Sequence, residues 1–284
     1  MPHFSLILFE LIMLLLLAFC LRHAWQHAGW LRVWEFSSGV VFGWLLEWAT
    51  IMQLSAYEYG DFVLKIGPLP LGVGIGWGVI IYTAMLFSDA SSLPLWARPI
   101  SDALMALNID LAMDAIAIRL GMWDWGRSLT SEYFGVPFAN FWAWFWVVFS
   151  FSLALRTLKQ VSYSGWQWVA PLGAIILGTF GVLGTNAMIV DLFIPAGLYE
   201  PSVAALIFGA LGLLVYLRPK YNLHPVDHLV FWVPFTFHIF FLIVGLITGV
   251  ILQPVILLFI SIVMLVVSVY LHFDHLPFWR RNEI

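Results

Sequence analysis

Nine stretches of this sequence are apolar over lengths that cross a bilayer, and this constrains the fold more than any other feature. A hydrocarbon core of about 30 Å takes roughly 17 to 25 helical residues to cross. Inside it every backbone N–H and C=O must be satisfied by the chain, which a helix does within each segment. The stretches lie near 4–21, 36–54, 70–88, 99–120, 137–157, 168–190, 200–217, 228–249 and 252–272. The expected fold is all-α, a polytopic transmembrane helix bundle of about nine spans forming one integral membrane domain over 1–284. The first stretch has no basic residues ahead of it and no small-residue cleavage site, so it reads as a retained span and not a signal peptide.

Charge supports the same class and excludes another. Only 10% of residues are charged, against roughly 25% in soluble domains. The net charge of −4 is small and scattered, whereas a nucleic-acid partner calls for clustered Lys and Arg. The single cysteine, Cys20, lies inside the first apolar run and reads as a small buried hydrophobe. Short cytoplasmic loops retain an excess of basic residues. An N-out, C-in orientation leaves Arg22, Arg32, Arg98, Arg156, Lys159, Arg218, Lys220, Arg280 and Arg281 inside, and only Lys65, Arg119 and Arg127 outside.

Tryptophans gather at span ends (Trp25, Trp30, Trp34, Trp123, Trp125, Trp166, Trp168, Trp279), where interfacial anchors are expected. The run FWAWFWVVF at 141–149 fits a lipid-facing surface and packing against a planar ligand equally well. Two Gly/Pro breaks, GPLPLGVGIG at 67–76 and GVPFAN at 135–140, precede helices, where proline is tolerated in the first turn.

The stretch 101–125 is the functional clue, because it carries Asn108, Asp110 and Asp114 at lipid depth. A carboxylate there costs several kcal/mol, so acidic residues within spans face a cavity or a partner and mark a pathway or a site. With both spans running outward, Glu47 sits seven residues from the outer end at 54 and Asp114 seven from an end near 121, each roughly 10 Å below the surface at 1.5 Å per residue. Glu10 falls about as deep, and Asp110 shares a helix face with Asp114, four residues on. Carboxyls held together in a dry site cannot all be ionised, which makes one of them a candidate general acid. The alternative is a structural hydrogen-bond network between helices, with Asn108 and Asn140 as donors.

Taken in order, these features resemble a known family. Glu47 in a helix is followed by Tyr57-x-Tyr59, by Gly67-Pro68-Leu69-Pro70-Leu71 before a helix with Trp77, and by Asp110-Leu111-x-x-Asp114 with Gly121-x-Trp123-x-Trp125. Gly135-Val136-Pro137, Asn140-Phe141 and Trp144-Phe145 complete the series. The order and spacing over about 39–150 resemble the integral membrane carotenoid biosynthesis family, which includes γ-carotene and bisanhydrobacterioruberin hydratases. Ala115 and Ala143 stand where the family often has Pro and Gly, and the segment from Glu47 to Tyr57 lacks the usual glycines.

The resemblance implies a carotenoid hydratase of a bacterial or archaeal cytoplasmic membrane, adding water to the terminal C=C of an acyclic end group. Asp110 and Asp114 would supply the proton and Glu47 would orient and deprotonate the water. Tyr57, Tyr59, Trp77, Trp123 and Trp125 would line the substrate and shelter the cation, with Asn140 and Asn108 as polar contacts. It implies no metal and no organic cofactor, and as partners a carotenoid or other polyprenoid lipid and the surrounding membrane lipids.

Two other readings use different residues. His23/His27, His224/His228 and His272/His275 are spaced so that imidazoles could share a metal, as in membrane di-iron hydroxylases and desaturases, although no adjacent His-His occurs. Interfacial histidines, with Asp227 and Asp274 beside them, are the plainer account. The second is a lipid or pigment carrier or transporter, in which glycines 72, 74, 76 and 78, or 178, 181 and 184, would belong to mobile broken helices; close helix packing through small residues explains the same pattern. His238, alone in an apolar span, reads as a satisfied core histidine.

Overall fold

In a computed structural model the structure describes residues 2–54, 57–163, 165–221, 223 and 226–272. They form eight α-helices: α1 Pro2–Ala49, α2 Leu71–Asp89, α3 Arg98–Arg119, α4 Phe138–Lys159, α5 Trp166–Ala187, α6 Tyr199–Leu217, α7 Leu229–Thr248 and α8 Ile256–Leu271. π-Helical turns extend α1 (Thr50–Leu54) and α5 (Met188–Phe193). Four two-residue strands make two small pairs, β1 Glu58–Tyr59 with β4 Trp123–Asp124 and β2 Lys65–Ile66 with β3 Leu69–Pro70, both antiparallel.

Helix α1 is two rods. Ala28 and Gly29 leave the helical region, Gly29 at φ +57°, a left-handed value that glycine adopts without a Cβ clash. The arms 2–27 and 30–49 fold back on each other. A Cβ on Gly72 would touch Met13 of the first arm, and one on Gly74 would collide with Trp44 of the second. Residues 13 and 44 would lie roughly 45 Å apart on a straight helix, yet both meet the first turn of α2. At the far end of α2, Tyr82 touches His23 and Phe36, close to the kink.

Six helices are long and apolar enough to cross a membrane. The remaining two are informative. Helix α8 has 16 residues, about 24 Å. Helix α3 is long enough but carries Arg98, Asp102, Asp110, Asp114 and Arg119. It tolerates them because it is the central strut, packed against α2, α4, α6, α7 and α8. The periphery is the reverse: α6 buries only Val203 and Ala210 among its 19 residues, as a helix facing lipid does. With α1 as two arms, each of the nine apolar runs read from the sequence falls on one helical rod among the described residues.

Glycine allows close helix contacts in the bundle. Ideal Cβ atoms on Gly43 and Gly78 would lie 2.2 Å from Trp77 Cβ and Val40 Cγ2, so the second arm and α2 approach nearly backbone to backbone. Helix α2 is continuous, and its glycines act in packing, not as breaks in a mobile helix. Gly178 likewise faces Phe42, and Gly181 faces Ser150.

The kink end of the bundle is tied by a buried ionic network. Arg156, on α4, donates to Asp102 Oδ2 of α3 at 2.7 Å, to Ser88 Oγ at 2.8 Å and to Asp89 Oδ1 at 3.0 Å on α2. At the other end Arg119 fastens the connection after α3, donating to the carbonyls of Leu129, Phe134 and Gln253.

Candidate active site

The carboxylates read at equal depth open onto one cavity. Glu47 from the second arm and Asp114 from α3 both line it, with Tyr57, Tyr59, Trp77, Trp123, Trp125 and Asn140. Phe9, Val73, Met113, Trp144 and Phe237 complete the wall. The space open to the centre of a water-sized sphere is about 60 Å³. One water needs roughly 10 to 15 Å³ by that measure, so the cavity suits a few waters or the branched tip of a chain, not a whole polyene.

Its polar groups form two clusters. In the first, Glu47 accepts from three sources: Tyr57 Oη and Tyr59 Oη (2.8 Å) at Oε2, and Trp77 Nε1 at Oε1 (2.7 Å). Burial, and then the Glu47 carboxylate, push both tyrosine hydroxyls well above their ordinary range, so they remain protonated donors. In the second, Asn140 Nδ2 donates to Asp114 Oδ2 at 2.6 Å and to Asp110 Oδ2 and Oδ1 at 3.1 and 3.3 Å. Asp110 and Asp114 lie within hydrogen-bonding reach of each other. Both carboxyls are buried: Asp110 is 0% and Asp114 2% exposed.

Each cluster is held from behind. β1 pairs with β4, Tyr59 opposite Trp123, which brings the Tyr57/Tyr59 and Trp123/Trp125 segments together over the cavity. A Cβ on Gly60 would lie 2.1 Å from the Gly121 carbonyl, and Gly60 N donates to Met122 O at 2.9 Å. That approach needs glycine. The start of α4, and with it Asn140, is fixed by Glu132 accepting from Phe138 N (2.6 Å) and by Tyr199 Oη accepting from Ala139 N (2.8 Å). Aromatic rings pave the rest, Trp77 on Trp144 with centroids at 4.3 Å and Tyr57 on Trp125 at 4.5 Å.

Several candidates fall elsewhere. Asp110 stands behind Asp114 and does not line the cavity. Asn108 faces the opposite side of α3, where it bonds Met264 O at 3.1 Å and His238 Nε2 at 2.9 Å; residues two apart on a helix do not share a face. Glu10 accepts from Leu64 N (2.7 Å) and Val63 N (3.3 Å) and so fixes the loop ahead of α2. Trp123 and Trp125 are cavity walls, whereas Trp25, Trp30 and Trp168 are about half exposed or more, as interfacial anchors are. In the FWAWFWVVF run, Phe141, Trp142, Trp144 and Phe145 are buried. Trp144 joins the site unannounced by any polar or charged signal in the sequence, although it lies one turn past Asn140 and therefore on its face.

Of the histidine pairs, His23 bonds Tyr82 Oη at 2.8 Å and His27 the His23 carbonyl at 2.9 Å. His238 is buried. His224, Asp274 and His275 lie outside the described residues. Among the described residues no three His, Cys, Asp or Glu side chains group as a ligand set for a metal.

The fold and site define a class: an all-helical protein with membrane-length helices and carboxyl groups at an aromatic-walled cavity. The chain belongs to the carotenoid biosynthesis protein family, whose model matches residues 4–212. The match reaches well beyond 39–150, taking in both arms of α1 and most of α6. Membership gives the protein a role in carotenoid biosynthesis and implies a carotenoid or other polyprenoid as its substrate. No curated protein and no solved structure matches the chain.

Proposed function

We propose that this protein hydrates the terminal trisubstituted C=C of an acyclic carotenoid end group. The observation that carries the reading is that Asp114 and Glu47 enter one aromatic-walled cavity from separate helices. Asp114 gives its proton to the less substituted alkene carbon, leaving a tertiary cation on its neighbour. Asp110 and Asn140 position Asp114 and share the charge that remains. The faces of Trp77, Trp144 and Trp123 stabilise the cation, each by roughly 0.5 to 2 kcal/mol. A water then forms the C–O bond, and its released proton passes to Glu47, whose Oε1 accepts only the Trp77 N–H among the described residues. Exchange through the cavity water returns a proton to Asp114 and takes one from Glu47. The sum is addition of one water, and the reaction so written needs neither metal nor organic cofactor.

Depth and sidedness fit the substrate. The cavity lies at the end of the bundle near Lys65, Arg119 and Arg127. Arg32, Arg98, Arg156 and Lys159 gather at the other end, which the positive-inside rule assigns to the cytoplasm. We therefore read nine spans, N-out and C-in, with the new hydroxyl formed at the outer leaflet. A C-terminal tag that proved accessible from outside would reverse that assignment.

The test of the reaction is pigment analysis in a bacterial host that accumulates lycopene or a monocyclic carotene, with the wild-type chain or its Asp114→Asn variant. A product heavier by one water with the wild type, and absent with the variant, is expected. A pigment carrier would retain pigment of unchanged mass.

A further inference from the structure

A second cavity lies at the kink end, between the second arm, α2 and α4, and shares no residue with the acid site. It offers about 220 Å³ to the centre of a water-sized sphere, nearly four times the first. Its floor is apolar, with Phe36, Gly39, Gly78, Ile81 and Phe151. Its rim is charged, with Arg32, Arg156 and Lys159 beside Glu35 and Asp89.

The rim is rich in donors. Two guanidinium groups and an ammonium carry five, five and three N–H bonds. Glu35 takes one from Arg32 at 2.9 Å and one from Lys159 at 2.5 Å. Arg156 uses both Nη atoms on Asp102, Ser152, Met85 O, Ser88 and Asp89, but its buried Nε has no partner among the described residues. Counting Arg98, which pairs with Asp89, four cations stand against three carboxylates (Glu35, Asp89, Asp102), so one further anion balances the group. A salt-bridge cluster alone does not require an apolar floor, and an apolar ligand alone does not require these donors. Together they fit a molecule with an anionic head and a hydrocarbon tail. The position is right for one: exposed Trp168 packs beside the cavity's helices, its carbonyl accepting from Trp34 Nε1 at 2.9 Å, as at an interface. Basic pockets between transmembrane helices are known lipid-headgroup sites.

We propose that this cavity binds a phosphate-bearing amphiphile, its phosphate against Arg32, Arg156 and Lys159 and the first carbons of its chain against Phe36, Ile81 and Phe151. The site is independent of the hydratase reading.

The test is thermal melting of the full-length protein in neutral detergent, titrated separately with dihexanoylphosphatidylglycerol, dihexanoylphosphatidylcholine and inorganic phosphate. A ligand of the native state raises the midpoint in a saturable way. Phosphatidylglycerol is expected to do so at concentrations where the other two do not. Lys159→Gln, which keeps the Arg32–Glu35 pair, and Gln160→Glu, an exposed change at the mouth, should each raise the half-saturating concentration about fivefold or more, as loss of one headgroup charge contact does. Lys220→Gln, at the same end but not lining the cavity, should leave it unchanged. Equal stabilisation by phosphatidylcholine, equal stabilisation by inorganic phosphate alone, or wild-type titrations for both Lys159→Gln and Gln160→Glu would each overturn the proposal.

Discussion

Asp110 and Asp114 are one helical turn apart and share the Asn140 amide, yet only Asp114 lines the cavity. Their Asp→Asn variants should therefore differ. Asp114→Asn removes the proposed proton donor and keeps the shape, and its new amide can donate to Asp110, so the helix contact survives. Loss of a general acid lowers rates by about 10²- to 10⁴-fold, or about 2.7 to 5.4 kcal/mol of barrier at 1.36 kcal/mol per tenfold. Asp110→Asn leaves the donor in place and weakens one hydrogen bond behind it. At about 1 to 1.5 kcal/mol this slows the reaction by about tenfold. The assay is the initial rate of hydrated-carotenoid formation in membranes, with protein amount fixed by immunoblot and integrity by melting midpoint. Both variants should melt within a few degrees of wild type. Equal losses, a larger loss for Asp110→Asn, or an Asp114→Asn rate above about a tenth of wild type would refute the assignment of Asp114 as the group that meets the substrate.

Other perturbations probe the supports. Trp77→Phe keeps the ring against Trp144 but deletes the N–H to Glu47; loss of a hydrogen bond to a charged group, about 1.5 to 3 kcal/mol, should appear as a lower melting midpoint and slower turnover. Gly78→Ala places a Cβ 2.2 Å from Val40 Cγ2, and such overpacking costs about 1 to 3 kcal/mol, read as reduced stability of detergent-extracted protein. Arg156→Ala breaks a buried pair whose members are 5% and 0% exposed. A loss of about 3 to 5 kcal/mol should prevent accumulation in the membrane, and Asp102→Leu combined with Arg156→Met should restore part of it. Glu10→Gln leaves the acid cavity chemically intact but weakens the anchor of Val63 and Leu64; the expected result is a lower kcat with the product unchanged.

Much of the site was legible because a helix converts residue number into depth. Counting from the ends of their spans puts Glu47 and Asp114 at one level, and both line the cavity in the structure. Rotation is harder to read. Asn108 and Asp110 are close in number but point to different sides of α3, a distinction the two-residue spacing already contained. Trp144 was accessible by the same rule, four residues beyond Asn140. Glu10 could not be sorted by depth, since its partners are backbone N–H groups of the loop at 63–64, and any acceptor at that height would have looked the same.

The sequence by itself determined that the chain forms lipid-length helices and that the acidic residues of α3 face inward, because hydrocarbon excludes both unpaired backbone and charge. Only the tertiary structure decided which face of each helix meets which. From Leu71 to Ile81, α2 is apolar or glycine throughout, so no hydrophobic periodicity fixes its rotation. That rotation follows from the contacts of Gly43, Gly74 and Gly78 with Trp77, Trp44 and Val40. It turns the Trp77 indole onto Glu47 and creates the cavity, because close packing between residues distant in sequence selects one arrangement among several that hydropathy alone allows.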